Sequence, residues 1–109
     1  MIQATIRLKI PPQKLESVLR ILRPVVELCG VVRGCLSCHL YADLQEKDVL
    51  MLEQRWRDEE DLDLHIRSNE YRNLLLALEL AVKRPDIRFD TISGSTGIET
   101  IEKARSQAS

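Results

Sequence analysis

Apolar and polar residues alternate from the start of the chain. Ile2, Ala4, Ile6, Leu8 and Ile10 fall on one side of an extended backbone, and Gln3, Thr5, Arg7 and Lys9 on the other. That period of two predicts a strand with one buried face. Pro11-Pro12 end it and suit the first turn of a helix. From residue 13 to 29 the spacing changes. Leu15, Val18, Leu19, Leu22, Val25, Val26 and Leu28 recur at near-helical intervals. Pro24 lies inside this pattern without an N–H donor, so a kink or a division of the helix is expected there. Gly30 and Gly34 punctuate the exit. Alternation then returns. Cys35, Ser37, His39 and Tyr41 point one way, and Leu36, Cys38 and Leu40 the other. A polar turn over 42–48 and a third strand over 49–56 complete a hairpin.

Asp58-Glu59-Glu60-Asp61 stand where a helix begins, and acids there favour the helix dipole. Leu62, Ile66, Tyr71, Leu74, Leu75, Leu78, Ala81 and Val82 carry the helical pattern onward, with a break and a fresh N-cap expected at Ser68-Asn69. Lys83-Arg84 followed by Pro85 is a regular helix ending, and 86–92 form a fourth strand. The short segment 98–104 follows a Gly-Ser-Thr-Gly turn, and its pattern does not assign a type. Residues 1–105 are expected to form one domain, with a frayed tail over 106–109.

Strands and helices in the order β-α-β-β-α-β give an α+β, ferredoxin-like domain with an antiparallel sheet. Both helices cover one sheet face. The other face, expected to carry Cys35, His39, Tyr41, Met51 and Thr91, needs a partner, and a homodimer is the simplest one.

Composition narrows the function classes. Among 109 residues, 44% are apolar and 30% charged, as in ordinary folded domains. The net charge of −1, with basic residues dispersed among acids, argues against nucleic acid and anionic membranes as partners. No apolar run approaches a membrane span, and the strand-like start does not read as a leader peptide. Three cysteines are an odd number, which fits a reducing compartment and a cytoplasmic location.

Few residues are candidates for chemistry. Cys35 and Cys38 match C-x-x-C. Strict strand alternation sends them to opposite faces, where they can neither share a metal nor close a disulfide easily. His39, beside Tyr41, is either a pocket donor or base or a hydrogen-bonded interface residue. Arg7 can face the same cavity as His39, or be salt-bridged at the surface. Glu53 and Arg55 share a face with Met51. Alternation puts Trp56 on the opposite face with Leu50, Leu52 and Gln54, as helix-side core, unless a bulge re-aims it toward a pocket. His65 lies two turns into the following helix. No Ser/His/Asp set, phosphate loop or H-E-x-x-H motif is present, and no metal ligands are assigned.

These pieces together resemble a known family. They are Arg23-Pro24, then Gly34-Cys35-Leu36-Ser37, Leu40-Tyr41-Ala42-Asp43, Leu52-Glu53-Gln54-Arg55-Trp56-Arg57-Asp58, Asp61-Leu62, His65-Ile66-Arg67-Ser68 and Tyr71-Arg72-Asn73-Leu74-Leu75. Over roughly residues 2–92 the chain resembles the antibiotic biosynthesis monooxygenase domain family. The resemblance implies a dimeric α/β barrel of two face-to-face sheets. For some members it implies cofactor-independent oxygenation of quinols or anthrones, in which the substrate's own anion reduces oxygen. It maps the family's Trp and His onto Trp56 and His65 as the catalytic pair, and its helix aromatic onto Tyr71. Arg7, His39, Tyr41, Glu53 and Tyr71 are then the expected substrate-binding residues. Two departures stand out. Many members carry an acid at the position of Gln54, and the haem-degrading branch has a His where this chain has Asn73-Leu74-Leu75-Leu76, so haem chemistry is not expected. No flavin or metal motif is present, and no cofactor is expected. The competing reading is a non-catalytic dimeric binding or stress-related module of the same fold.

Overall fold

The computed structural model of the chain describes residues 1–107. Four strands form one antiparallel sheet: β1 (Ile2–Lys9), β2 (Cys35–Ala42), β3 (Val49–Trp56) and β4 (Asp86–Thr91). Their order across the sheet is β2-β3-β1-β4. Each β-α-β crossover therefore skips one strand and lands on an edge of the sheet, and the architecture is the expected ferredoxin-like one. Four helices accompany them: α1 (Leu15–Glu27), α2 (Glu59–Ile66), α3 (Glu70–Glu79) and α4 (Ile98–Ser106).

Alternation in β1 puts Ala4, Ile6 and Leu8 under the helices, where all three are buried. Register places Leu52 opposite Ile6 and Leu50 opposite Leu8. The core forms where these residues meet Val18 and Leu22 of α1 and Tyr71, Leu74 and Ala77 of α3. A smaller cluster joins Ala4, Trp56 and Leu62. Trp56 is fully buried there, which settles its orientation as helix-side.

Three local features depart from simple patterning. Pro24 does not divide α1, which runs unbroken from Leu15 to Glu27 and continues as a 3-10 turn over Leu28–Val31. The long helix expected after β3 breaks into α2 and α3, as Ser68-Asn69 suggested. It also ends at Glu79, before the Lys83-Arg84-Pro85 signal. Residues 98–106 are helical, so Ser106 belongs to α4 rather than to a frayed tail. Of the expected tail, residues 108–109 lie outside the described residues.

A β-bulge at the start of β2 corrects the reading of Cys35. Cys35 pairs with Trp56 and Ser37 with Arg55, so Leu36 is the unpaired extra residue. The bulge turns Cys35 to the helix side, where it packs on the core with Cys29 and Cys38. All three cysteines are free thiols. Burial pushes the Cys35 thiol well up, with Cys29 beside it adding to the rise, and holds Cys38 up to about 11. Such thiols carry almost no thiolate and serve as packing groups. Thr91 pairs with Ile2 and likewise lies on the helix side rather than the open one.

Candidate functional site

The open sheet face collects Arg7, His39, Tyr41 and Glu53. Glu53 lies opposite Thr5 on one side and His39 on the other. Met51 lies between Arg7 and Tyr41. The His39 and Tyr41 rings are 6.1 Å apart. Arg7 is committed elsewhere, donating to Asp43 Oδ2 at 3.1 Å and to Glu46 Oε2 at 2.8 Å. These bonds lift the Arg7 pKa and hold the Glu46 carboxyl below its ordinary range, while Asp43 is held low first by the backbone N–H groups of Gln45 and Glu46 and then by Arg7. Glu53 lies 3.8 Å from Arg55.

His65, Trp56 and Tyr71 gather on the opposite, helix side. The Trp56 and His65 rings sit 4.6 Å apart at 32°, and Tyr71 meets His65 edge-on at 5.4 Å. These are favourable aromatic separations. The seven residues expected to share one pocket are thus divided by the sheet. Arg7, His39, Tyr41 and Glu53 face away from His65, because period-two alternation sends them to the face the helices leave bare.

Local sequence explains how His65 and Tyr71 are held. Asp58 caps α2 by accepting from the Asp61 backbone N–H at 2.9 Å. The α2 helix then ends just past His65, where Ser68 Oγ donates to the His65 carbonyl at 2.6 Å. The same oxygen accepts from the Tyr71 N–H at 3.4 Å. The His-x-x-Ser spacing is therefore a joint: one hydroxyl ties the end of α2 to the start of α3 and fixes His65 relative to Tyr71.

A second joint sets α2 on the sheet, and sequence patterning did not single it out. Asp61 is buried, yet it draws Arg57 Nη2 to 2.5 Å and Arg33 Nε to 3.0 Å. The Arg33 contact is close enough for an ion pair but lacks hydrogen-bond alignment. Gly34 has φ of +79°, and a Cβ there would overlap the Asp61 side chain. The Arg57 N–H also donates to the Gly34 carbonyl at 2.8 Å. The signal was the pair of glycines before β2, and its meaning depended on Asp61 lying across from Gly34.

His65 lines a cavity of about 240 Å³ between α1 and α3, with Ile21, Val25, Val32, Tyr71 and Leu74 on its walls. Arg20, Glu70 and Asn73 supply its polar edge. A neighbouring, more polar groove of about 360 Å³ shares His65, Leu28, Val32 and Glu70 with it. His65 stands at the junction of the two. Its Nε2 is sealed from water and lacks a partner, as is Trp56 Nε1. Burial lowers the His65 pKa, and the nearby Glu70 carboxylate partly offsets this. Burial also raises the Tyr71 phenol. Near neutral pH the site holds an uncharged imidazole and an uncharged phenol beside apolar walls, a combination suited to accepting a proton from an aromatic ligand. Among the described residues, no cluster of three or more His, Cys, Asp or Glu is placed to hold a metal ion. No described helix is long and apolar enough to cross a membrane.

Comparison with known proteins agrees with this geometry at the level of family and fold. A family model described as antibiotic biosynthesis monooxygenase matches residues 1–75. A conserved protein of Methanosarcina mazei Go1 has a similar structure, with a TM-score of 0.76 and 24% identity over 82% of this chain and 89% of its own. A Deinococcus radiodurans protein named for antibiotic biosynthesis monooxygenase activity superposes with a TM-score of 0.80 at 14% identity, covering 90% of this chain and 98% of that one. A Caulobacter crescentus protein of the same description gives 0.76 at 17% identity, over 85% and 90%. At such identities the likeness is one of fold. No curated protein sequence matches the chain significantly.

Proposed function

The chain belongs to the antibiotic biosynthesis monooxygenase family, and from that premise we propose that it is an oxygenase whose reaction takes place beside His65 in the α1–α3 cavity. The observation that carries this reading is the half-buried imidazole of His65, its Nε2 unpaired, set against Trp56 and lining an apolar cavity. The substrate is a small, electron-rich aromatic of the quinol or anthrone type, and no cofactor takes part.

His65 takes a proton from the substrate, through Nδ1 with Nε2 carrying the resting proton. The resulting anion is the reductant. It transfers electrons to dioxygen, a carbon–oxygen bond forms, one oxygen atom remains as a new carbonyl, and the other leaves as water. Tyr71 donates to the developing oxyanion. Trp56 backs His65 and holds the ring plane, and the apolar walls keep water from quenching the anion.

The protein works as a homodimer through the bare sheet face. Arg7, His39, Tyr41 and Glu53 then belong to the interface, where the two sheets close a barrel.

Oxygen uptake by the purified protein with a panel of hydroquinones and anthrones tests the catalytic reading. The expected result is uptake above buffer with at least one compound, lowered by about 10²–10⁴-fold in His65→Ala. Uptake that His65→Ala leaves intact, or none with any compound, would overturn it. Saturable binding without uptake would point to the non-catalytic module.

A further inference from the structure

We infer that the α1–α3 cavity is shaped for a small aromatic acid, and that Arg20 selects the acidic group. This deepens the oxygenase reading and uses the same cavity.

Size sets the first limit. A volume of about 240 Å³ lies below the roughly 300–1,000 Å³ usual for drug-sized ligands. One or two rings fit, with apolar walls against their faces.

Charge sets the second. The polar edge is asymmetric: α1 presents Arg20, and α3 presents Glu70 and Asn73. Among the described residues, Arg20 makes no ion pair with any carboxylate. Arg33, the cation bordering the neighbouring groove, is held by buried Asp61. Arg20 is therefore the uncommitted cation at the cavity. Its planar fork of donors matches a carboxylate in bidentate fashion. Arg20 stands exposed at the mouth, where solvent moderates the pairing but leaves its fork free for a ligand. Glu70 on the facing helix repels the same carboxylate, so the acid end turns to α1 and the ring turns inward to His65. Two opposite charges across one mouth thus orient the ligand as well as attract it.

Binding measured without turnover keeps this inference separate from the catalytic one. Calorimetric titration of the protein with 1-naphthoate and with 1-naphthamide compares an acid with a neutral compound of nearly equal shape. The wild type is expected to bind the acid about tenfold or more tightly than the amide, in line with a hydrogen bond to a charged group. Arg20→Gln is expected to abolish that preference by weakening the acid far more than the amide, and Arg20→Lys to keep part of it. Equal affinity of the wild type for both compounds would overturn the inference. So would a preference that survives Arg20→Gln, or no binding of either compound. If neutral quinols are oxidised while the acid shows no advantage, the Arg20 assignment falls and the oxygenase reading stands.

Discussion

At the scale of the residue, His65 is kept neutral by its surroundings. Burial opposes the charge on the ring more than Glu70 favours it. A base of this kind works only when unprotonated. The acid limb of the rate against pH should therefore have its midpoint below the ordinary histidine value of about 6.5. Glu70→Gln, which removes the opposing carboxylate, should move that midpoint lower still. The same shift has a stability sign. The folded pKa lies below the unfolded one, so as pH falls the unfolded chain takes up the proton first. The His65 contribution is complete above the unfolded value and declines as pH drops toward the folded one. Denaturant melts across this range, compared with His65→Gln, check this: the wild type should lose more stability on acidification than the variant. The grouping of the trio Trp56, His65 and Tyr71 was legible in the sequence only by resemblance. Which sheet face the trio occupied was not, because a helix pattern tells which side of the helix is apolar and not where along the sheet it docks. Arg7, His39, Tyr41 and Glu53 were grouped with His65 for that reason. Their alternation was correctly read, but it does not say that His65 docks on the opposite face of the sheet.

At the scale of the element, two joints position the site. Ser68 joins α2 to α3, and the Gly34–Asp61 contact seats α2 on the start of β2. Gly34 is needed twice over, for a positive φ and for the space that Asp61 fills. Gly34→Ala should therefore destabilise the fold by about 1–3 kcal/mol or more, measured by denaturant unfolding. A change within about 0.5 kcal/mol, the usual range for neutral surface substitutions, would contradict the close approach. Periodicity located every strand to within a residue or so, because half-buried strands leave a strong alternating signal. It missed the bulge at Leu36, since one inserted residue looks like a continuing alternation until the partner strand is in register. It also overestimated Pro24. Proline removes one intrahelical bond, but α1 packs on α3 and β2 firmly enough to remain continuous.

At the scale of the whole molecule, the fold is extended and leaves apolar side chains exposed. Its radius of gyration is 16.5 Å, against roughly 13 Å for a compact domain of about this length. The α4 helix projects from the body with Ile98 and Ile101 exposed, and β4 leaves Ile87 and Phe89 open at the sheet edge. Light scattering at micromolar concentration should give twice the 12.5 kDa chain mass. Met51→Asp, at the middle of the bare sheet face, should shift the population toward monomer by setting like charges across a two-fold axis. A wild-type monomer would contradict the proposed barrel. The chain has two histidines, and they lie on opposite faces of one sheet. They offer the most direct test of where the chemistry takes place. Initial oxygen uptake should be compared for His65→Gln and His39→Gln with the best substrate at saturating oxygen. The helix-side account predicts a loss of about 10²-fold or more for His65→Gln and a near wild-type rate for a dimeric His39→Gln. A rate that collapses in dimeric His39→Gln and survives in His65→Gln would place the chemistry on the other side of the sheet and contradict the account.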